Sequence, residues 1–234
     1  MVPQIAPFIG FYNAGLGKRE RLGVEEMFYN GALQVLVSTS AFGEGINIPD
    51  IRNVVLYHMP FNEVEFNQMS GRAGRDGQDA WVHILFGQQD AHINEGILLD
   101  TTPDHDRMAH IYRQLRAYQH ELGPDDFSLT LHDLAEAVNT QAPAYQVAEA
   151  GVRCALVVFE ELGLVKLSER EKSDGSFKIH LVETKSKVEL TDSVRYREGI
   201  DEMEVFQDFQ NWALKGSQID LQGRICAPIL PDEL

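Results

Sequence analysis

At 234 residues, 44% of them hydrophobic, the chain is long enough for one large or two modest domains. Thirty-six acidic against twenty basic side chains leave a net charge of −16, which excludes a surface that attracts a phosphate backbone everywhere and requires any nucleic-acid contact to be local. The two cysteines, Cys154 and Cys226, show no CxxC or Cys/His spacing, and no apolar stretch approaches the roughly 18–20 residues of a membrane span. No zinc site, disulfide framework or bilayer crossing is therefore expected, and the chain reads as cytoplasmic with reduced thiols.

Short apolar runs alternate with helical patterns through the first ninety residues, as a parallel α/β sheet demands. The opening apolar segment is expected to end in a strand at Phe11–Tyr12. A helix is predicted over Lys18–Tyr29, strands over Gln34–Ser38, Asn53–His58 and Trp81–Phe86, and the start of another helix over Val64–Gln68. Near residue 100 the pattern changes. Met108, Ile111, Tyr112, Leu115 and Tyr118 repeat at helical spacing, Gly123-Pro124-Asp125-Asp126 reads as a loop, and Leu129–Asn139 and Tyr145–Leu162 are two further helices, the last stopped by Gly163. Leu164–Leu167 and Phe177–Val182, joined through Ser173-Asp174-Gly175, are predicted as a hairpin. Three helices and a hairpin make a winged-helix pattern, and a last helix is expected over Met203–Leu214. The expected organisation is an α/β lobe over 1–100, an α+β winged-helix-like domain over 101–185 and an extension over 186–234.

Charge is also distributed by segment. Between 166 and 197, Lys166, Arg170, Lys172, Lys178, Lys185, Lys187, Arg195 and Arg197 face six acidic residues, so this strip alone is net basic and is the best candidate for touching phosphate. A solvated hairpin explains it equally well. The helix over Tyr145–Leu162, which would have to be basic to read a groove, carries Glu149, Glu160 and Glu161 against Arg153 and reads as core.

Two stretches carry chemistry. After the strand at Gln34–Ser38 comes Thr39-Ser40-Ala41-Phe42-Gly43-Glu44-Gly45-Ile46-Asn47, where two glycines one residue apart let backbone N–H groups approach a phosphate. Further on stands Gln68-Met69-Ser70-Gly71-Arg72-Ala73-Gly74-Arg75-Asp76-Gly77. Arg72 and Arg75, three apart among small residues, would project from one face of a helical turn, and a guanidinium is the fork that neutralises a γ-phosphate in phosphoryl transfer.

In order and spacing the two stretches resemble motifs V and VI of superfamily-2 helicases, most closely the RecQ-like branch. Tyr12-Asn13-Ala14-Gly15-Leu16 is similar to the Tyr-His-Ala-Gly-Leu element of that branch, with Asn13 where histidine is usual. The resemblance implies a RecA-like parallel-sheet fold for the first lobe. It implies that Thr39, Gly43 and Gly45 meet a single-strand backbone, that Asn47 links the nucleotide to that loop, and that Gln68 and Arg72 sit at the interface with a second lobe. Arg75 would be the arginine finger for ATP held on that lobe, with Arg72 as its rival. The family places a strand and a helix before the Tyr-x-Ala-Gly-Leu element, so the lobe is expected to be short at its start and the chain to be the tail of a longer protein.

Neither GxxxxGK[ST] nor a metal-binding Asp-Glu pair of the motor kind is present, so no ATP hydrolysis is expected of the chain alone; ATP and Mg²⁺ or Mn²⁺ are implied only for the parent. Residues 155–164 (ALVVFEELGL) and 187–196 (KVELTDSVRY) resemble the carboxy-terminal region of bacterial RecJ-type single-strand-specific exonucleases, over about residues 110–215. That resemblance implies a DNA repair and recombination setting, with an upstream nuclease or helicase lobe as partner. Asp104-His105-Asp106 lacks the companions of a nuclease centre and reads as a solvated helix start, so no metal site or nuclease activity is assigned to this chain. Lys166, Lys178 and Lys185 remain the candidate single-stranded-DNA contacts, expected to be weak. A non-catalytic binding module and the carboxy-terminal half of a RecQ-like helicase are the alternatives; the second is disfavoured because residues 101–153 contain none of the zinc-binding cysteines that should follow the motor lobe.

Overall fold

The computed structural model describes residues 8–43, 48–123, 126–168, 175–184 and 187–225. They fall into two compact units, Met1–Gly87 with Trp212–Leu234 and Gln88–Asn211. The division thus lies after Gly87 rather than near residue 100, and the end of the chain, expected as a separate extension, clusters with the first unit.

In the first unit, β1 (Ile9–Tyr12) pairs in parallel with β2 (Val35–Ser38), Ile9 opposite Val35 and Tyr12 opposite Ser38. The crossover between them is α1 (Lys18–Tyr29), whose start is fixed by the Gly17 N–H donating to the Glu20 carboxylate at 2.8 Å. β3 (Asn53–Leu56) pairs in parallel with β4 (Trp81–Ile84) around the crossover α2 (Glu63–Ser70). Where the sequence pattern suggested one continuous sheet, the described strands form two separate parallel pairs. Alternation gives each pair two different faces. Tyr12 and Leu56 are buried on one, while Phe11, Val35, Val37, Val55 and Trp81 are exposed.

The second unit opens with α3 (Gln88–Thr101), a helix the periodicity did not mark, and α4 (His105–Leu122). Asp104 caps α4, its carboxylate accepting from the Arg107 N–H at 2.9 Å, so the Asp-His-Asp run is a helix start. β5 (Phe127–Leu129), α5 (Leu131–Gln141), α6 (Glu149–Glu161), β6 (Val165–Leu167) and β7 (Phe177–Leu181) follow. The strands form an antiparallel sheet in the order β5-β7-β6, which with α4, α5 and α6 is a winged-helix arrangement. One core holds it together, with Met108, Ile111, Leu115, Leu134, Val138, Val152, Val158, Phe159 and Ile179 almost wholly buried.

α6 occupies the position from which a winged helix would enter a groove, but most of its side chains are buried and its exposed stripe, Glu149, Arg153, Val157 and Glu160, is acidic on balance. At Gly151 a Cβ would come within 2.9 Å of Pro103 and 3.1 Å of the Asp100 carbonyl oxygen, so glycine permits the close approach to the end of α3. Cys154 is buried beside Thr102. α7 (Val194–Lys215) begins well before the expected Met203, anchored by the buried Tyr196 and by Ser193, whose hydroxyl donates to Glu161 at 2.6 Å. α8 (Gln218–Ile225) closes the described chain. Among the described residues, no helix is long and apolar enough to cross a membrane.

Candidate nucleotide and nucleic-acid interface

β2 runs out at Ser38, and the next residue turns the chain back on itself. The Thr39 N–H still donates to the Tyr12 carbonyl at 3.1 Å, while its hydroxyl and carbonyl oxygens accept from Ala41 and Phe42 at 3.4 and 3.2 Å, folding Ser40–Gly43 into a short 3-10 segment kinked at Phe42. This turn buries Phe42 edge-on against Tyr12 and Phe28, with ring centroids 5.2 and 6.1 Å apart. The Tyr12 hydroxyl donates to Glu25 at 2.6 Å, and that bond, more than burial, raises its pKa. Thr39 and Gly43 are thus placed at the end of a strand on a turn with an aromatic anchor. Gly45 and Asn47 lie outside the described residues.

The arginine stretch departs from its expected form. α2 ends at Ser70, whose hydroxyl donates to the Phe66 carbonyl at 2.7 Å, so Arg72 and Arg75 stand in the turns after the helix rather than on a helical turn. Those turns are pinned from outside. Gly74 N–H donates to Ile51 and Asp76 N–H to Pro49, each at 3.0 Å. Arg52 then spans the loop, pairing with the Asp76 carboxylate and donating to the Asp79 carbonyl at 3.1 Å. Its guanidinium holds the Asp76 carboxyl below the usual carboxylate range. Gly74 has φ +62, and a Cβ there would lie 2.7 Å from the Gln78 carbonyl oxygen, so only glycine fits the bend.

The two halves meet in one shallow pocket lined by Phe42, Ile48, Ile51, Arg72 and Arg75. The Arg72 guanidinium sits 5.8 Å from the centroid of the Phe42 ring. Burial first and the neighbouring Arg75 second lower its pKa from an unusually high starting value, and it remains a cation. Among the described residues no carboxylate pairs with Arg72. Arg75 is exposed and donates from Nε to the Gly71 carbonyl at 3.2 Å. Two like charges against an apolar wall repel, and an anion between them relieves that repulsion. Gln68 is exposed on α2, just before the loop.

In the second unit, Lys166 lies opposite His180, and Lys178 opposite Ser128. All four are exposed, so they share the outward face of the sheet. Lys178 is less free than the charge count implied. Asp126 lies between it and His180, at 3.3 and 2.8 Å, and His180 first and Lys178 second hold that carboxyl below its usual range. Lys185 lies outside the described residues. Sequence reasoning missed His180, although its alternation with Lys178 in β7 put both on one face. It also missed Arg52, whose ties to Asp76 and Asp79 span more than twenty residues and leave no local signal. Among the described residues, no group of three or more His, Cys, Asp or Glu side chains could hold a metal ion.

Residues 9–77 match the helicase conserved C-terminal domain family. The chain is 34% identical over 105 residues to a probable ATP-dependent DNA helicase RecS of Bacillus subtilis (strain 168), covering 45% of this chain and 21% of that protein. It is 36% identical over 107 residues to the ATP-dependent DNA helicase RecQ of the same organism, covering 46% and 18%. To the human ATP-dependent DNA helicase Q4 it is 42% identical over 84 residues, covering 36% and 7%. The chain thus spans about a fifth or less of the length of these relatives. Residues 9–77, with their parallel strands and two arginines three residues apart, are thus similar to the C-terminal lobe of superfamily-2 helicases and have its α/β, RecA-like fold.

Proposed function

We propose that the chain is the carboxy-terminal part of a RecQ-like, ATP-dependent DNA helicase, in which Arg75, with Arg72 beside it, completes an ATP site built on another lobe of the parent. One observation carries this reading. Arg72 and Arg75 converge on a single pocket with Phe42 of the preceding motif, and Arg72 has no carboxylate partner among the described residues. ATP and its Mg²⁺ or Mn²⁺ belong to the opposite lobe and supply the γ-phosphate. This chain contributes cationic charge to that phosphate, Gln68 and Arg72 at the lobe interface, and Asn47 as the link to the strand-binding loop. Nucleotide binding closes the two lobes and hydrolysis releases them.

Single-stranded DNA would pass along the turn at Thr39 and Gly43, with Gly45 two residues further along the sequence. The sheet face with Lys166 and Lys178, together with Lys185 from the following sequence, would add weak, salt-sensitive contacts. The net acidic exposed stripe of α6 favours this face over groove reading by the third helix. The setting we propose is cytoplasmic DNA repair.

The test is Arg75→Ala. In a parent carrying the nucleotide-binding lobe it lowers ATP turnover on the order of 10³-fold or more. In the 234-residue chain it changes stability by less than about 0.5 kcal/mol, because the side chain is exposed. A large loss of stability with unchanged turnover would make the arginine structural and overturn the proposal.

A second reading, the helicase-like tail of a RecJ-type exonuclease, is supported by residues 155–164 and 187–196 and by the lack of cysteines in 101–153. The three relatives named above are helicases, and we rank it second on that ground. Manganese-dependent digestion of single strands by the parent would reverse the order.

A further inference from the structure

The returning end of the chain attaches to the helix that leads into the arginine loop. Arg224, in the last turn of α8, donates from Nε and Nη2 to both carboxylate oxygens of Glu63, the first residue of α2. Three residues along α2 and on the same stripe, the fully buried Phe66 meets the edge of Trp212, with centroids 5.3 Å apart. α8 is nucleated by its own reciprocal cap, Ser217 N–H donating to Asp220 at 3.0 Å and Asp220 N–H to the Ser217 hydroxyl at 3.3 Å. None of its side chains is buried, and Ile219 is 80% exposed. With Leu221 and Ile225 only half-buried, apolar burial holds α8 weakly, and the two-pronged pair with Glu63 is its directional tie.

Such a pair contributes modest stability at a partly exposed site, but its fork geometry fixes direction. The arginine loop is consequently held at both ends, by Glu63–Arg224 before α2 and by Arg52–Asp76 after it. We propose that Arg224 is a positioning residue: with Trp212 it sets the placement of α2, and through it the placement of Arg72 and Arg75 towards a phosphate. This deepens the nucleotide reading given above and rests on it.

The experiment follows the side-chain Nε–H signals of Arg72 and Arg75 by NMR in the full 234-residue chain, with tripolyphosphate as the probe. Arg224→Met moves both signals and weakens tripolyphosphate binding roughly 2- to 30-fold, while the melting temperature stays close to that of the unmodified chain. The exchange Glu63→Arg with Arg224→Glu restores signals and affinity, less a small loss from placing a cation at the start of α2. Arg224→Lys, which keeps the charge but not the fork, restores them only in part. If Arg224→Met frays α8 or lowers the melting temperature while both signals and the affinity stay put, the tail is merely structural and the proposal falls. If tripolyphosphate leaves Arg72 and Arg75 unmoved in the unmodified chain, the nucleotide reading fails instead. The positioning role then stands or falls on whether Arg224→Met moves the two signals.

Discussion

The winged-helix unit turns its apolar side chains inward around Met108, Ile111, Leu115 and Phe159, whereas the first unit leaves Phe11, Val35, Val37, Val55 and Trp81 on the outside of its parallel strands. Parallel strands are ordinarily buried on both faces, so the lobe gains less from burial than its composition would allow. Its candidate site is fixed by directional bonds instead. Arg52 to Asp76, Gly74 to Ile51, Asp76 to Pro49 and Arg224 to Glu63 do for the arginine loop what a packed core does for α6. One unit is shaped by the volume it fills and the other by the bonds it aims.

The largest expected break in this comparison is Phe159→Ala, which removes a 1% exposed ring from the centre of the second unit and should cost about 3–5 kcal/mol. Both tryptophans of the chain, Trp81 and Trp212, belong to the first unit. The loss should therefore appear in far-ultraviolet circular dichroism on heating while the tryptophan fluorescence transition stays in place. Equal displacement of both signals would mean that the two units unfold together.

Gly74→Ala tests the other unit at its bend. Left-handed backbone costs a non-glycine residue about 1–2 kcal/mol, and the added methyl group would press on the Gln78 carbonyl. The tryptophan transition should fall and that of the winged helix should not. An unchanged fluorescence transition would show that the loop relaxes freely and that its pins matter little.

The smallest expected effect is the most pointed. Val37→Thr on the bare face of β2, 51% exposed, should change stability by no more than about 0.5 kcal/mol and leave solubility equal or better. A loss comparable with that at Phe159 would mean that this face is packed in solution.

How legible each unit was follows the same division. α1 was predicted at its observed bounds, and β2, β3 and β4 to within two residues, because hydrophobic period and glycine punctuation agree there. α3 escaped because its pattern is inverted, with Asn94 inside and Ile93 and Ile97 outside. β5 is three residues long, too short to show a period. α7 hid its first turns because Gly199 breaks the pattern, yet a Cβ there would collide with Thr102, a reason that exists only in three dimensions. At the candidate site, Thr39, Gly43, Gln68, Arg72 and Arg75 could be read locally, since they stand in two short motifs. Their supports could not. Arg52, Glu63 and Arg224 are ordinary surface charges until the fold sets them against their partners, and the separation of 161 positions between Glu63 and Arg224 leaves no trace of their pairing in the sequence.

The first unit is discontinuous in the chain, its last pieces following the whole of Gln88–Asn211. A ribosome adding about 5–20 residues per second would need on the order of 6–25 s to cross that interval. Throughout it the parallel strands of the first unit, with their bare valines and aromatics, would exist without Trp212 and without the Arg224 brace. The intervening unit, rich in local helices, has time to fold in full within the same window. The order of synthesis therefore begins the first unit before Gln88–Asn211 and completes it afterwards, and the seconds in between are when a chaperone would find it.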